Sequence, residues 1–542
     1  MLSAKKGLLA LLSGMFIFTA VGCSSDSSKE GSSGGGSKSA EYLNTESQFP
    51  IVKEPIELTI MVKQAATHPE FDKIYNLQKY EEMTGIKINW INVPASGWDE
   101  NLNLAMASGE LPDIILKGSI SSANQLSWGE DELLIDLMEN DLLETYAPNF
   151  WSYMDKFEDV KQSQTFPNGA IYSIPAATEE PATRILRKLF INTEWLEAVN
   201  LDMPTTYEEL YEVLKAFKEQ DPNGNGVADE IGLYSSTGAL YETFYGMFGL
   251  ENRGTHHSSF DIDEDTGDIR YFPMDEDYRE FLEFTKRLYE EGLLHEEMFS
   301  YSDSQMASWV VEDKAGIFIN TSLSILPGNY TSKFKGLDEA LEGPNGDKIW
   351  SGVRSHLHST GAFVITSACE YPEAALRWVD YFYSDEGNAF YHYGIEGDTY
   401  VKNDDGSYSY TQEIIDKFAE SSKDSVISNY SPYPYGNNPT IMKYPFFSGD
   451  ELTPIPMEAA DNLMPYIPEE IWPFFTFTKD ENRIMTTYNT DIGNYVKTST
   501  AEFITGQKEL NDSTWKEYVS AIEKMGVEEM LNVYEAAYER IK

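Results

Sequence analysis

Between Glu57 and Gly118 the sequence switches repeatedly between two hydrophobic periods, and this limits the fold more than any other feature. ELTIMVK, Glu57 to Lys63, reads as a strand, Phe71 to Thr84 as a helix stopped by Gly85, and IKINWINV, Ile86 to Val93, as a second strand. A further helix is predicted over Trp98 to Ser108, ended by Gly109, and a third strand over LPDIILKG, Leu111 to Gly118. Strand, helix, strand, helix, strand is the βαβ pattern of a parallel sheet covered on both faces, so the chain is expected to be of α/β class. In open sheets of this type ligands sit beyond the carboxyl ends of the strands. Here those ends carry Lys63-Gln64, Pro94 to Trp98, and Lys117 to Ser119.

A second organised stretch is DPNGNGVADE, Asp221 to Glu230, which follows a helix over Tyr207 to Gln220 that PTTYEEL would cap. Asp221, Asn223 and Asn225 fall at loop positions one, three and five, Val227 offers its carbonyl at seven, and Asp229 and Glu230 close the shell. Oxygen ligands at alternate positions, with glycines permitting tight turning, are what a hard cation such as calcium requires. Gly232 stands where an EF-hand carries its last acidic residue, so the ring must close early through Asp229 and Glu230. The plainer alternative is a polar Asp-Pro turn. A shell filled by protein oxygens leaves no position for substrate, so the expected calcium ion is structural.

At 542 residues the chain exceeds what one hydrophobic core usually supports, and two or more lobes are expected. A formal charge of -50 argues against nucleic acid and anionic membrane surfaces as partners, since phosphate is bound by surplus lysine and arginine. There are only two cysteines, Cys23 and Cys369, hence no disulfide framework, and Cys369 beside FVITSA reads as a small buried residue. Lys5 and Lys6 precede an apolar run, Leu8 to Val21, of the length of a secretory-signal core. Ala20-Val21-Gly22-Cys23 resembles a bacterial lipobox, with Ala20 where leucine is commoner. Residues 1–22 are then a signal peptide and Cys23 an acylated, palmitate-bearing anchor on the outer face of the cell membrane; an uncleaved anchor helix is the alternative. Residues 23–49 hold a Ser/Gly-rich leash too poor in apolar residues to fold.

WDENLNLAMASGELPDIIL is similar to the segment of extracellular solute-binding proteins that precedes and forms their third strand. Four further stretches resemble the large calcium-containing branch of that family, that of LplA-type lipoproteins and alginate-oligosaccharide-binding proteins. They are LFINTEWLEAVNLDMPTTYEELYEVLKAFKEQDPNGNGVADEIGL, STGAFVITSACEYPEAALRWVDYFYSDEGNAFYHYGIEGDTYV, TAEFITG and WKEYVSAIEKMGVEEMLNVYEAAYERIK. The five pieces stand in this order between Trp98 and Lys542, so the resemblance runs over nearly the whole mature chain. The resemblance implies a two-lobed periplasmic-binding-protein fold, a ligand cleft between the lobes and a helical C-terminus. One lobe would hold residues 50–175 and 350–450, the other 176–349 and 451–542. It also implies a monomeric receptor that delivers an oligosaccharide to the permease of an ABC importer. IYSIP, Ile171 to Pro175, and LRKLFIN, Leu186 to Asn192, suit the crossings, and amphipathic helices are expected over about 480–505 and 513–542.

Sugars are held by aromatic faces against their C–H surfaces, with amides and carboxylates taking the hydroxyls. Candidates of these types at predicted strand ends and loops are Trp98, Lys117, Glu179, Trp309, Asn320, Arg354, His356, Tyr393, Glu396 and Trp472, with Glu180, Arg184, Tyr433 and Tyr435 beside them. With ten tryptophans and 34 tyrosines in the chain, core packing is the plain alternative for each aromatic. Arg354, His356 and His358 form a basic patch that would suit a uronate. A glycoside hydrolase would need two carboxylates facing one bond, and no local motif singles out such a pair. Nor is there a G-x-S-x-G, H-E-x-x-H or phosphate-loop motif. A lipoprotein that senses a peptide or polymer is the remaining rival.

Overall fold

The computed structural model describes residues 40–542 apart from 301, 302, 325, 327 and 420. The expected signal peptide, Cys23 and the leash up to residue 39 lie outside the described residues. The first sheet opens with β1 (Ile56–Gln64), α1 (Tyr75–Thr84), β2 (Ile86–Pro94), α2 (Trp98–Ser108), β3 (Ile114–Leu116) and α3 (Ser122–Glu130). β1 pairs in parallel with β2, Ile56 opposite Ile86, and with β3, Ile60 opposite Ile114. This is the expected βαβαβ unit, with left-handed Gly85 and Gly109, both at φ 74°, ending the two helices. Two spans differ for local reasons. Ile74 at φ -70°, ψ 123° interrupts the helix expected from Phe71, leaving one 3-10 turn ahead of α1. The third strand is shorter than expected because Lys117 and Ser119 take φ of 58° and 53°, values outside the strand region.

After β4 (Ile174–Thr178) the chain crosses to a second sheet. There it forms β5 (Lys188–Asn192), α4 (Tyr207–Glu219), β6 (Ile231–Tyr234), α5 (Thr237–Phe244), the hairpin β7 (Phe260–Ile262) and β8 (Ile269–Tyr271), α6 (Glu276–Glu290), β9 (Ala315–Asn320) and β10 (Phe334–Gly336). It returns through β11 (Leu357–Ile365) and α7 (Pro372–Asp380), then makes the hairpin β12 (Tyr400–Lys402) and β13 (Tyr408–Tyr410), and adds β14 (Ile441–Met442). The first sheet has the order β14-β4-β11-β3-β1-β2 and the second β10-β5-β9-β6. β11 runs antiparallel to both β3 and β4, so the first sheet is mixed and not wholly parallel. In the second sheet β6 and β9 are parallel, which puts Tyr234 and Asn320 at the same end.

The chain ends in α8 (Lys479–Ile504), α9 (Asp512–Met525) and α10 (Val527–Ile541). Thr478 and Glu481 form a capping box that starts α8, whose 26 residues span about 39 Å. Left-handed Gly526, φ 96°, splits the helical run expected from Ser513 into α9 and α10. Each sheet has its own core. Ile60, Phe71, Phe150, Phe363 and Trp378 pack around the first, and Phe217, Phe244, Phe281, Ile317, Phe503 and Tyr518 around the second, which absorbs the C-terminal helices. α8 also reaches the first sheet's layer, where Lys479 Nζ lies 3.5 Å from Glu130 on α3. Among the described residues no helix is long and apolar enough to cross a membrane.

Candidate functional site

The loop after α4 turns its oxygens inward. Asp221, itself at φ 48°, accepts from the N–H groups of Asn225 and Gly226 at 3.0 Å each; Asn223 Oδ1 accepts from Asn225 at 2.9 Å and Asn225 Oδ1 from Val227 at 2.6 Å. Both carboxylate oxygens of Glu230 are buried without a hydrogen-bond partner. Burial, with Asp221 and Asp229 nearby, raises its pKa above the ordinary carboxylate range. An orphaned, buried carboxylate beside two further acids is what a cation would satisfy, and the oxygen-only donor set suits a hard ion. Lys314 Nζ, 3.5 Å from Asp229, neutralises part of this charge. Among the described residues no cluster of three or more His, Cys, Asp or Glu side chains stands at metal-holding distance, so any shell must draw on Asn and backbone oxygens as well.

At the carboxyl end of β3, Lys117 is 1% exposed and its Nζ donates to the carbonyl of Pro432 at 2.6 Å. The ammonium lies 5.8 Å above the ring of Phe71, and burial drives its pKa down to about 7. His68 Nε2 approaches the same carbonyl at 3.0 Å. Trp98 is 1% exposed, and its Nε1 donates to Gly118 at 3.1 Å, so it supports the loop after β3 from within the core. Tyr435, at φ 65°, is exposed beside this cluster, edge-on to His68.

The crossing between the sheets gathers the charged candidates. Glu179 pairs with Lys156, and Glu180 accepts from the N–H of Tyr444 at 3.1 Å. Arg354 donates from Nε and Nη2 to the carbonyl of Thr183, at 3.2 and 3.0 Å, and from Nη1 to His358 Nδ1. Arg184 Nε donates back to the carbonyl of Arg354 at 3.1 Å. His356 donates its backbone N–H to Asp159 Oδ2 at 2.7 Å, holds its Nδ1 2.9 Å from the same oxygen, and stacks on Phe157. Of the expected basic patch, Arg354 and His358 meet while His356 faces Asp159, and burial pushes the Arg354 guanidinium down to about 9 and the His358 imidazole well below its ordinary range. The hydrogen bonds of Arg354 hold the two crossing segments to each other.

Trp309 packs against Tyr234 and His295, ring centroids 4.5 Å away in each case, and Asn320 ends β9 with its Oδ1 accepting from Thr321 at 2.7 Å. Asn320 lies at the carboxyl end of the second sheet's parallel pair, whereas the Trp309 carbonyl accepts from Lys314 N–H at 2.9 Å just ahead of β9. Tyr393 sits in an aromatic cluster with Tyr400, Tyr408 and Tyr410, whereas Glu396 is exposed on the turn before β12. Trp472 is 0% exposed, enclosed by His257, Phe475 and Tyr538. Trp98, Tyr393 and Trp472 thus fill cores here and do not present ring faces to solvent. Among aromatics not singled out by sequence, Tyr444 is 46% exposed next to Glu180; its place in a Tyr-Pro turn was the available signal.

A model of the family described as bacterial extracellular solute-binding protein matches residues 64–389, more than half of the chain. The fructooligosaccharide ABC transporter substrate-binding protein FusA of Streptococcus pneumoniae is 26% identical over 482 residues, 86% of this chain and 86% of that protein. Lipoprotein LipO of Bacillus subtilis is 30% identical over 377 residues, 64% of this chain and 68% of its own. The solved structure of an S. pneumoniae FusA EF-hand mutant in complex with fructo-nystose matches with a TM-score of 0.70 at 22% identity, covering 90% of this chain and 100% of that one. Two sheets with separate cores, joined by repeated crossings, are the architecture of such two-lobed proteins. The chain belongs to the bacterial extracellular solute-binding proteins, a family of ligand-binding proteins and not of enzymes.

Proposed function

We propose that the protein is the ligand-capturing receptor of an ABC importer, that its ligand is an oligosaccharide, and that Cys23 anchors it by lipid to the outer face of the cell membrane as a monomer. The observation that carries this reading is the similarity to FusA over 86% of both chains, a relative described as a fructooligosaccharide substrate-binding protein. LipO, described as a lipoprotein, supports the anchor. In this reading the lobes divide where the chain leaves the sheets, between Thr178 and Lys188, between Gly336 and Leu357, and after Met442. The ligand bridges the lobes and favours their closed arrangement through contacts made only there, and the permease recognises that form.

We also infer that Asp221, Asn223, Asn225, Val227, Asp229 and Glu230 hold a calcium ion. The orphaned carboxylate of Glu230 supports this, as does the existence of an EF-hand in FusA that its investigators mutated. When bound, the ion supplies positive charge that neutralises the buried acids and fixes the loop between α4 and β6. Melting curves test both parts. A saccharide that binds the native state raises the melting temperature by mass action and is recovered unchanged, and a chelator lowers the melting temperature. A melting temperature indifferent to every saccharide, or a saccharide recovered as shorter products, would sink the receptor reading; indifference to chelation would remove the ion.

A further inference from the structure

The second lobe contains a hollow of about 820 Å³. Tyr241 and Tyr245 line it from α5 and the 3-10 turn that follows, four residues apart and so on one helical face. The exposed Phe299 adds further ring surface, whereas Tyr271 and Tyr278, 4% and 2% exposed, are core rings that border the hollow. The hollow starts at Thr237 and Gly238, immediately after β6, which is the carboxyl end of the second sheet's parallel pair and the end where α/β sheets place their ligands. Its other side is the second half of α8, the helix whose first turn reaches Glu130 of the first lobe. Deep in the wall the Tyr278 hydroxyl and Thr500 Oγ1 stand 2.8 Å apart, a polar pair among rings.

Two glycines add independent weight. Gly238 and Gly493 both line the hollow from helices, neither has a positive φ, and a Cβ built on either would meet nothing within 4 Å. Backbone geometry therefore does not demand glycine at either position. Gly493, in the interior of α8, costs that helix about 1 kcal/mol relative to alanine. What the missing side chains provide is open space. The chemistry of the walls is aromatic faces with hydroxyl groups, and the only ammonium or carboxylate side chains among the lining residues are Lys497 and Glu502, one of each sign, with no arginine or histidine.

We propose that this tyrosine-walled chamber receives an uncharged sugar residue of the ligand, stacked on Tyr241 and Tyr245, with Gly238 and Gly493 keeping it open; the assignment rests on the oligosaccharide reading above. Ring faces complement the C–H surface of a neutral sugar, and the hydroxyls take its own hydroxyl groups. A uronate would bring a carboxylate to a wall that offers one lysine and one glutamate, with no guanidinium to grip it.

Calorimetric titration of the protein, Gly493→Trp and Tyr241→Ala tests the proposal, using neutral fructose-, glucose- and galactose-based trisaccharides and trigalacturonate as probes. Gly493→Trp fills the hollow where there is room for a side chain, so its melting temperature holds or rises while affinity for the neutral trisaccharide that binds the unaltered protein falls at least about tenfold. Tyr241→Ala, which removes a stacking face, weakens the same ligand by a similar factor. Unchanged affinity in Gly493→Trp overturns the chamber and leaves the oligosaccharide reading standing. Preference of the unaltered protein for trigalacturonate, abolished by Gly493→Trp, overturns the uncharged class. Silence of the unaltered protein toward every saccharide removes the oligosaccharide reading itself, and the chamber's role with it.

Discussion

Lys117 Nζ donates to the carbonyl oxygen of Pro432 at 2.6 Å inside the first lobe, with no ion pair to compensate its charge among the described residues. Its pKa falls to about 7 from the ordinary 10.5 because burial disfavours the ammonium. The unfolded chain therefore binds more protons than the folded one between those two values, and stability rises with pH across that window. Lys117→Met removes this titration, and His68 Nε2 remains 3.0 Å from the Pro432 carbonyl as a partner for it. The variant is expected to exceed the unaltered protein in stability by roughly 2–4 kcal/mol at pH 6 and to lose that advantage as the pH approaches 10. Urea denaturation at pH 6, 8 and 10 measures it; an advantage independent of pH would show that the ammonium is not the cause.

Glu230→Gln separates a cation loop from a plain turn by sign. If calcium is held there, the amide weakens the site, the melting temperature falls in calcium buffer, and the response to chelator shrinks. A site saturated at about 100 times its dissociation constant contributes about 2.7 kcal/mol. If Glu230 is only an unpaired buried acid, the substitution removes a buried charge and the melting temperature rises.

Trp472 tests what its burial means. Enclosed by His257, Phe475 and Tyr538, it is a core residue, and Trp472→Ala should cost about 3–5 kcal/mol of stability. The fraction still folded should bind ligand with unaltered affinity in calorimetric titration. A stable variant with lost affinity would instead make Trp472 a stacking platform.

Arg354→Met removes the donors that join the crossing segment at residue 354 to Thr183. Charge-assisted hydrogen bonds of this kind are worth about 1.5–3 kcal/mol, and a loss of that order in urea denaturation is expected. A uronate should bind the variant no worse than it binds the unaltered protein, because the guanidinium is committed to the protein. Selective loss of uronate binding would show that it faces the ligand.

Much of the first lobe was legible from period alone, because parallel strands and their crossover helices write alternating patterns of the kind seen at Glu57 to Gly118. The antiparallel insertion of β11 was not, since strand order is set by contacts between residues far apart in the chain, such as Phe363 opposite Leu116. The proposed cation loop could be picked out from sequence because its candidate ligands all lie between Asp221 and Glu230. The residues proposed to face a sugar were far less legible. Type and loop position select Trp98 and Trp472 as readily as an exposed ring, and only packing reveals that both are enclosed. Tyr241 and Tyr245 sit within a helical pattern and read as core; their signal was the pair of glycines, Gly238 and Gly493, placed on helices that gain nothing from them. Lys117 was found by its strand end, but its partner, the Pro432 carbonyl, lies 315 residues away.

The most direct test of the receptor reading is calorimetric titration of the protein, with calcium present, against neutral oligosaccharides, uronate-containing oligosaccharides and short peptides. Micromolar or tighter binding of one neutral oligosaccharide class is predicted, with the saccharide recovered intact. Heat from a peptide with silence from every sugar would contradict it, and would leave the two-lobed fold in service of a different ligand.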